Sequence, residues 1–102
     1  MYRIFLFLIL SQLPGIPVSL AQAPQGQALY KVNCVRCHGR DGTRGFLGAK
    51  NLQLSDLNDK DIYTAISEGR RVMPSWKKRL KPEQINLLVA YIKTLRITIP
   101  KL

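Results

Sequence analysis

The chain has 102 residues, room for one domain, and 16 Lys and Arg against 6 Asp and Glu give it a formal net charge of +10. So basic a chain suits an anionic partner, but it has no Arg-rich block with interleaved aromatics and no recognisable binding motif, which argues against nucleic acid. A chain this short buries a thin core, so a large apolar cofactor would help it fold.

The N-terminus has the order of a secretory signal: a charged start at Met1-Tyr2-Arg3, an apolar run from Ile4 to Leu13, and a break at Pro14-Gly15-Ile16-Pro17. Ser19 and Ala21 place small side chains three and one residues before a cut between Ala21 and Gln22. Residues 1–21 are therefore expected to be a signal peptide and 22–102 the working domain, with an uncleaved anchor as the alternative. Removing the segment takes away Arg3 alone and leaves 15 basic against 6 acidic residues. No cysteine lies near the segment, so a lipoprotein anchor is excluded.

Downstream, a helical period starts at Gly26, with Gly26, Leu29, Tyr30, Val32 and Asn33 on one side and Gln27, Ala28 and Lys31 on the other. The helix runs into Cys34-Val35-Arg36-Cys37-His38, which contains both cysteines and the sole histidine of the chain. This is the spacing of a c-type haem attachment site: two thiols add to the haem vinyl groups and the next imidazole reaches the iron. Two rival readings exist, a thioredoxin-like dithiol and half of a zinc site. The first needs a βαβ surround that the flanks do not suggest, and the second needs ligands that no remaining Cys or His supplies. Export agrees with haem attachment, because attachment is expected outside the cytoplasm. Without haem, the two thiols there would tend to pair.

Residues 39–53 hold four glycines, at 39, 42, 45 and 48, and read as a loop around the cofactor edge. A second helix starts after Asn58, a good N-cap, with Ile62, Ala65 and Ile66 buried and Gly69 as its stop. Arg70 to Trp76 form a loop, and Lys77 to Lys81 carry four positive charges around Leu80. The last helix opens at Pro82 with Glu83 behind it. Ile85, Leu88, Val89, Tyr91, Ile92 and Leu95 form its apolar face, while Glu83, Asn86 and Lys93 face water. Arg96 to Leu102 read as a tail packed on the surface or frayed.

An electron-transfer haem needs a second axial ligand, and after export Met73 is the one methionine left, 35 residues beyond His38 and stiffened by Pro74. A thioether favours ferrous iron and raises the reduction potential. A lysine ligand or an open sixth position is the alternative, with Met73 then serving as ordinary packing.

With Gly26, Tyr30 and Cys34 at four-residue intervals, Cys34, Cys37 and His38 in the attachment motif, Met73-Pro74, and Leu88 and Tyr91 on the last helix, the sequence resembles a class I c-type cytochrome. It is closest in kind to small monohaem bacterial cytochromes of the c or c6-like type, over roughly residues 26–96. The resemblance implies an all-α fold of three main helices and loops wrapped around one covalently bound haem c. It implies iron held by His38 and Met73, and a one-electron carrier rather than an enzyme. It also implies a contact between the terminal helices through Gly26, Tyr30, Leu88 and Tyr91, and sets Trp76 either near a haem propionate or in the core. Two departures stand out. The family's proline, whose carbonyl accepts from the proximal imidazole, is absent from Gly48-Ala49-Lys50-Asn51-Leu52, so a nearby carbonyl must replace it; and Lys81 sits where an N-cap Ser, Thr or Asp is expected. The expected partners are redox proteins with acidic docking surfaces, met by a monomer through Arg40, Arg44, Arg70, Arg71, Lys77, Lys78 and Arg79. Membrane contact is expected only through a bound partner or an uncleaved anchor. The competing functions are a haem-bearing subunit of a larger dehydrogenase or oxidase, and a ligand-binding haem sensor with Met73 off the iron. The latter lacks a distal acid–base pair for peroxidase-type chemistry.

Overall fold

The computed structural model describes residues 18–97. The charged start and apolar run of the expected export signal lie outside the described residues, as do the last five residues of the tail. Four helices are present: α1 (Val18–Asn33), the short α2 (Val35–His38), α3 (Asp59–Glu68) and α4 (Pro82–Thr94), with 3-10 turns at Phe46–Gly48 and Leu52–Leu54. No strand occurs among the described residues, and the all-α expectation holds.

α1 begins eight residues before the expected start at Gly26 and runs through Pro24. Leu20, Ala21, Gln22, Ala23 and Gln25 are adequate helix formers, and Pro24 removes one backbone bond, to Leu20. Val32, expected on the packed side, is 82% exposed. At 100° per residue it lies well away from Gly26 and Tyr30, beyond the edge of the contact stripe.

α1 and α4 cross at Gly26. A Cβ there would lie 2.5 Å from the Leu87 carbonyl oxygen and 3.0 Å from the Tyr91 Cβ, so only glycine lets the helices approach this closely. One turn on, Tyr30 meets Tyr91 with ring centroids 5.1 Å apart and planes at 53°. α4 also packs on α3, so the last helix joins the first helix to the middle of the chain. The core consists of Tyr30, Cys34, Ile62, Ile66, Ile85, Leu88, Val89 and Ile92, and the apolar faces read from α3 and α4 supply six of these eight.

The caps combine what the sequence shows and what it hides. Asn58 Oδ1 accepts from the Asp61 N–H at 2.9 Å, as expected of an N-cap. At α4, where Lys81 offers no side-chain acceptor, Gln84 Oε1 reaches back to the Lys81 N–H at 2.8 Å and satisfies that donor from the other direction. Beyond α4 the chain stays tied down as far as the description goes. Arg96 donates to the Leu57 carbonyl, and the Ile97 N–H donates to the Gln53 carbonyl at 3.1 Å.

Candidate metal centre

Cys34, the N-cap of α2, and Cys37 and His38 within it bring three donors into about one helical turn. The Cys34 carbonyl accepts from the N–H groups of Cys37 at 3.3 Å and His38 at 3.0 Å. Cys34 is buried in the core, and Cys37 and His38 are half-buried.

Besides the helix bonds of α2, several contacts hold His38 and the residue after it. The ring Nδ1 lies 3.0 Å from the Lys50 carbonyl oxygen. Its own carbonyl accepts the Arg44 N–H at 2.8 Å, and the Gly39 carbonyl accepts the Tyr30 hydroxyl at 2.6 Å. A carbonyl can only accept, so Nδ1 carries the proton and Nε2 keeps a free lone pair. Lys50 thus takes the place of the missing proline. Its role rests on a backbone atom, which leaves no mark in the sequence. Burial lowers the His38 pKa, and the Lys50 bond opposes this in part, so at pH 7 the ring is the neutral imidazole that binds metals. Burial, with the Cys37 thiol second, pushes Cys34 up to about 12. Among the described residues no group of three or more His, Cys, Asp or Glu side chains gathers as a metal site, which weighs against zinc.

Met73 stands on a separate support. Arg70 and Met73 exchange two backbone bonds of 3.1 and 2.8 Å and close a tight turn in which Arg71 has φ +51°. The chain then folds back onto the end of α3. Ser75 Oγ donates to the Ser67 carbonyl at 2.6 Å, and the Trp76 N–H donates to the Ile66 carbonyl at 3.0 Å. Gly69 does more than stop α3: a Cβ there would lie 2.6 Å from the Met73 carbonyl oxygen and 2.8 Å from the Ser75 nitrogen. Ser67, which no sequence pattern singles out, is buried beneath this return. Met73 packs against the same core that contains Cys34, together with Leu52, Leu57, Trp76 and Leu80, all half-buried. Two thiols, an imidazole with Nε2 free and a thioether, set among half-buried apolar side chains, form a donor set that suits a haem joined by two thioethers.

Residues 70–81 contain six basic and no acidic residues, while Asp56, Asp59, Asp61 and Glu68 put four of the six acids between 51 and 69. Arg40, Arg44, Arg70, Arg71, Lys77, Lys78 and Arg79 are all exposed. Lys77 pairs with Glu68 at 2.9 Å, Arg44 lies 5.2 Å from the Phe46 ring centroid and Arg79 lies 5.5 Å from that of Trp76.

Residues 21–92 match the family described as cytochrome C oxidase, cbb3-type, subunit III. Cytochrome c6 of Nostoc sp. is 34% identical over 83 residues, a match covering 74% of this chain and 73% of that protein. The chain belongs to the class I c-type cytochromes. This cytochrome is also similar to the cbb3-type cytochrome c oxidase subunit FixP of Bradyrhizobium diazoefficiens, 36% identical over 91 residues. That match takes in 81% of the chain but 31% of the subunit, so the chain spans about a third of that relative. Among solved structures it is similar to KustC0563 c-type cytochrome, with a TM-score of 0.64 and 30% identity over 71% of this chain and 98% of that one. The cofactor of the family is covalently bound haem c, and the cytochrome is a haem c electron-transfer protein.

Proposed function

We propose that this cytochrome carries single electrons between redox proteins outside the cytoplasm, with its haem joined to Cys34 and Cys37 and its iron held between His38 and Met73. The observation that carries this reading is the fixed His38 ring, whose Nδ1 is committed to the Lys50 carbonyl at 3.0 Å and whose Nε2 is left for a metal. Haem supplies an iron that alternates between ferric and ferrous states. The protein orients the imidazole, holds the Met73 turn against α3 and surrounds the ring system with apolar side chains. No bond to a substrate is made, and the histidine that acid–base chemistry would need is already used, so the chain is a carrier and not an enzyme. The ferric protein is expected to show a thioether-to-iron charge-transfer band. Met73→Ala should lose the band and lower the reduction potential, because a thioether favours ferrous iron. A high-spin protein that responds to carbon monoxide, or a potential unchanged by Met73→Ala, refutes the ligation and favours the sensor reading.

Residues 1–21 act as an export signal cut between Ala21 and Gln22, and 22–102 form the cytochrome domain. The order of charged, apolar and small residues supports this. Among the described residues no helix is long and apolar enough to cross a membrane. The mass of the exported polypeptide tests the cut. Its docking partners present acidic surfaces to the basic residues around the site. Electron transfer to them should slow as salt rises, and a rate insensitive to ionic strength overturns the steering.

A second reading is favoured by the FixP likeness: the chain serves as the haem-bearing part of a larger oxidase. Migration with a large membrane complex after mild solubilisation, rather than as a free monomer, would establish it.

A further inference from the structure

We infer that Tyr30 is a positioning residue for the His38 imidazole, its hydroxyl tying the crossing of α1 and α4 to the peptide that follows the ring. The inference rests on His38 as an iron ligand. Tyr30 is 1% exposed and its ring already packs on Tyr91. A phenylalanine would serve that contact, so packing does not account for the hydroxyl. A buried hydroxyl is costly without a partner. This one reaches nine residues along the chain and donates to the Gly39 carbonyl at 2.6 Å. Burial raises the Tyr30 pKa above its ordinary value, so the group stays a protonated donor.

The acceptor lies at a sensitive place. Gly39 follows His38 and adopts φ +80°, ψ 170°, a backbone region essentially confined to glycine. A Cβ at Gly39 would lie 2.9 Å from the Arg44 Cβ, so no side chain fits there to steady the peptide. The hold comes from outside, with the Tyr30 hydroxyl on the Gly39 carbonyl and the Arg44 N–H on the His38 carbonyl. Gly39 is also held by its own N–H on the Val35 carbonyl at 2.8 Å and by the Gly42 N–H on its carbonyl at 3.3 Å, so removing the hydroxyl loosens the Gly39 carbonyl by its shortest bond rather than freeing it. The ring keeps its Lys50 bond and the His38 carbonyl its Arg44 bond, but the residue that follows them is less firmly placed.

The test compares holoprotein carrying Tyr30→Phe with a Tyr91→Phe control, which keeps the ring contact and leaves the Gly39 bond intact. The readouts are the ferrous-to-ferric ratio at a fixed redox poise and the spread of the haem methyl resonances in the ferric NMR spectrum, which reports ligand orientation. The ratio should change in Tyr30→Phe by up to about threefold, to the extent that the hydrogen bond is stronger in one oxidation state than in the other. The methyl spread should change in Tyr30→Phe too, and neither readout should move in Tyr91→Phe. Site-specific Tyr30→3-fluorotyrosine keeps the ring and strengthens the donor, so it should move the ratio in the opposite sense even if the phenylalanine variant folds poorly. Wild-type values in Tyr30→Phe, or equal changes in the two phenylalanine variants, overturn the inference. A wild-type ferric spectrum without an imidazole ligand instead refutes the assignment of His38, whatever the Tyr30 variants do.

Discussion

Replacing Gly69 with alanine should unseat Met73 while leaving most of the fold in place. The added Cβ would meet three backbone atoms, the Met73 carbonyl oxygen at 2.6 Å, the Ser75 nitrogen at 2.8 Å and the Pro74 carbonyl carbon at 2.9 Å. None of these is the free end of a side chain that can swing aside. Gly69 also sits at φ +76°, ψ 166°, which costs a residue with a Cβ about 1–3 kcal/mol. Moving the turn away strains the Ser75–Ser67 bond and the Arg70–Met73 pair, and losing about two such bonds costs a further ~1–3 kcal/mol. Together the penalty is about 2–6 kcal/mol, set against a total of about 5–15 kcal/mol for a domain. A guanidinium titration followed both by helical circular dichroism and by the proposed thioether band measures the two consequences together. The band of Gly69→Ala should be absent or vanish at lower denaturant than the helices. A variant that keeps the wild-type band and loses less than about 0.5 kcal/mol would show that the return of residues 73–75 onto α3 is not tight, and the reasoning would fail.

Two further outcomes follow from the geometry. Gly26→Ala gains about 1 kcal/mol of helix propensity but must push α1 off Leu87 and Tyr91, so the net effect should be a loss of about 1–3 kcal/mol in thermal melts, and an unchanged or raised Tm contradicts the close crossing. Asp41 accepts from the Thr43 hydroxyl at 2.7 Å and the Thr43 N–H at 3.0 Å, which hold its carboxyl below its ordinary value. Because the folded-state pKa is the lower one, this stabilisation is present above the unfolded value and is lost as pH falls through the folded value. Thr43→Val should therefore flatten the acid limb of stability in urea melts as pH falls below the ordinary carboxylate range, and parallel limbs would refute the link.

The sequence was most informative where side chains repeat or carry chemistry of their own. The apolar stripes at Ile62 and Ile66 and from Ile85 to Ile92 follow the helical period, and Cys34, Cys37, His38 and Met73 are the scarce residue types of the chain. It was least informative where backbone atoms do the holding. The Lys50 carbonyl beside His38 comes from a residue whose side chain has no part in the contact. The seat of the Met73 turn is built from the Ile66 and Ser67 carbonyls, which any residues at those positions would supply. Gly69 showed as a helix stop because that role is local, whereas its clearance for Met73 and Ser75 depends on a fold-back that local patterning does not encode. The early start of α1 was hidden because residues up to Ala21 read as an export signal and no apolar helical period shows before Gly26. Lys81 read as a weak start because the compensating acceptor, Gln84, is a common surface residue.

These supports divide the proposed ligand set between two structural units. The His38 side is tied through Gly39 and Tyr30 to the crossing of α1 and α4, and the Met73 side through Gly69, Ser75 and Trp76 to the end of α3. The two sides meet in the shared core, to which Cys34 and residues of α3 and α4 belong and against which Met73 packs. A disturbance at Gly69 therefore reaches Met73 without touching the bonds at His38, Gly39 and Lys50, and the thioether links to Cys34 and Cys37 would keep the haem attached. The expected state of such a protein is one with its haem and proximal imidazole in place and the opposite iron position open. The same substitution that tests the turn should thus convert the proposed carrier into a carbon monoxide-binding protein that is still folded. Gly26→Ala acts on the other unit, so at equal loss of stability it should leave the Met73 band intact and produce no such binding.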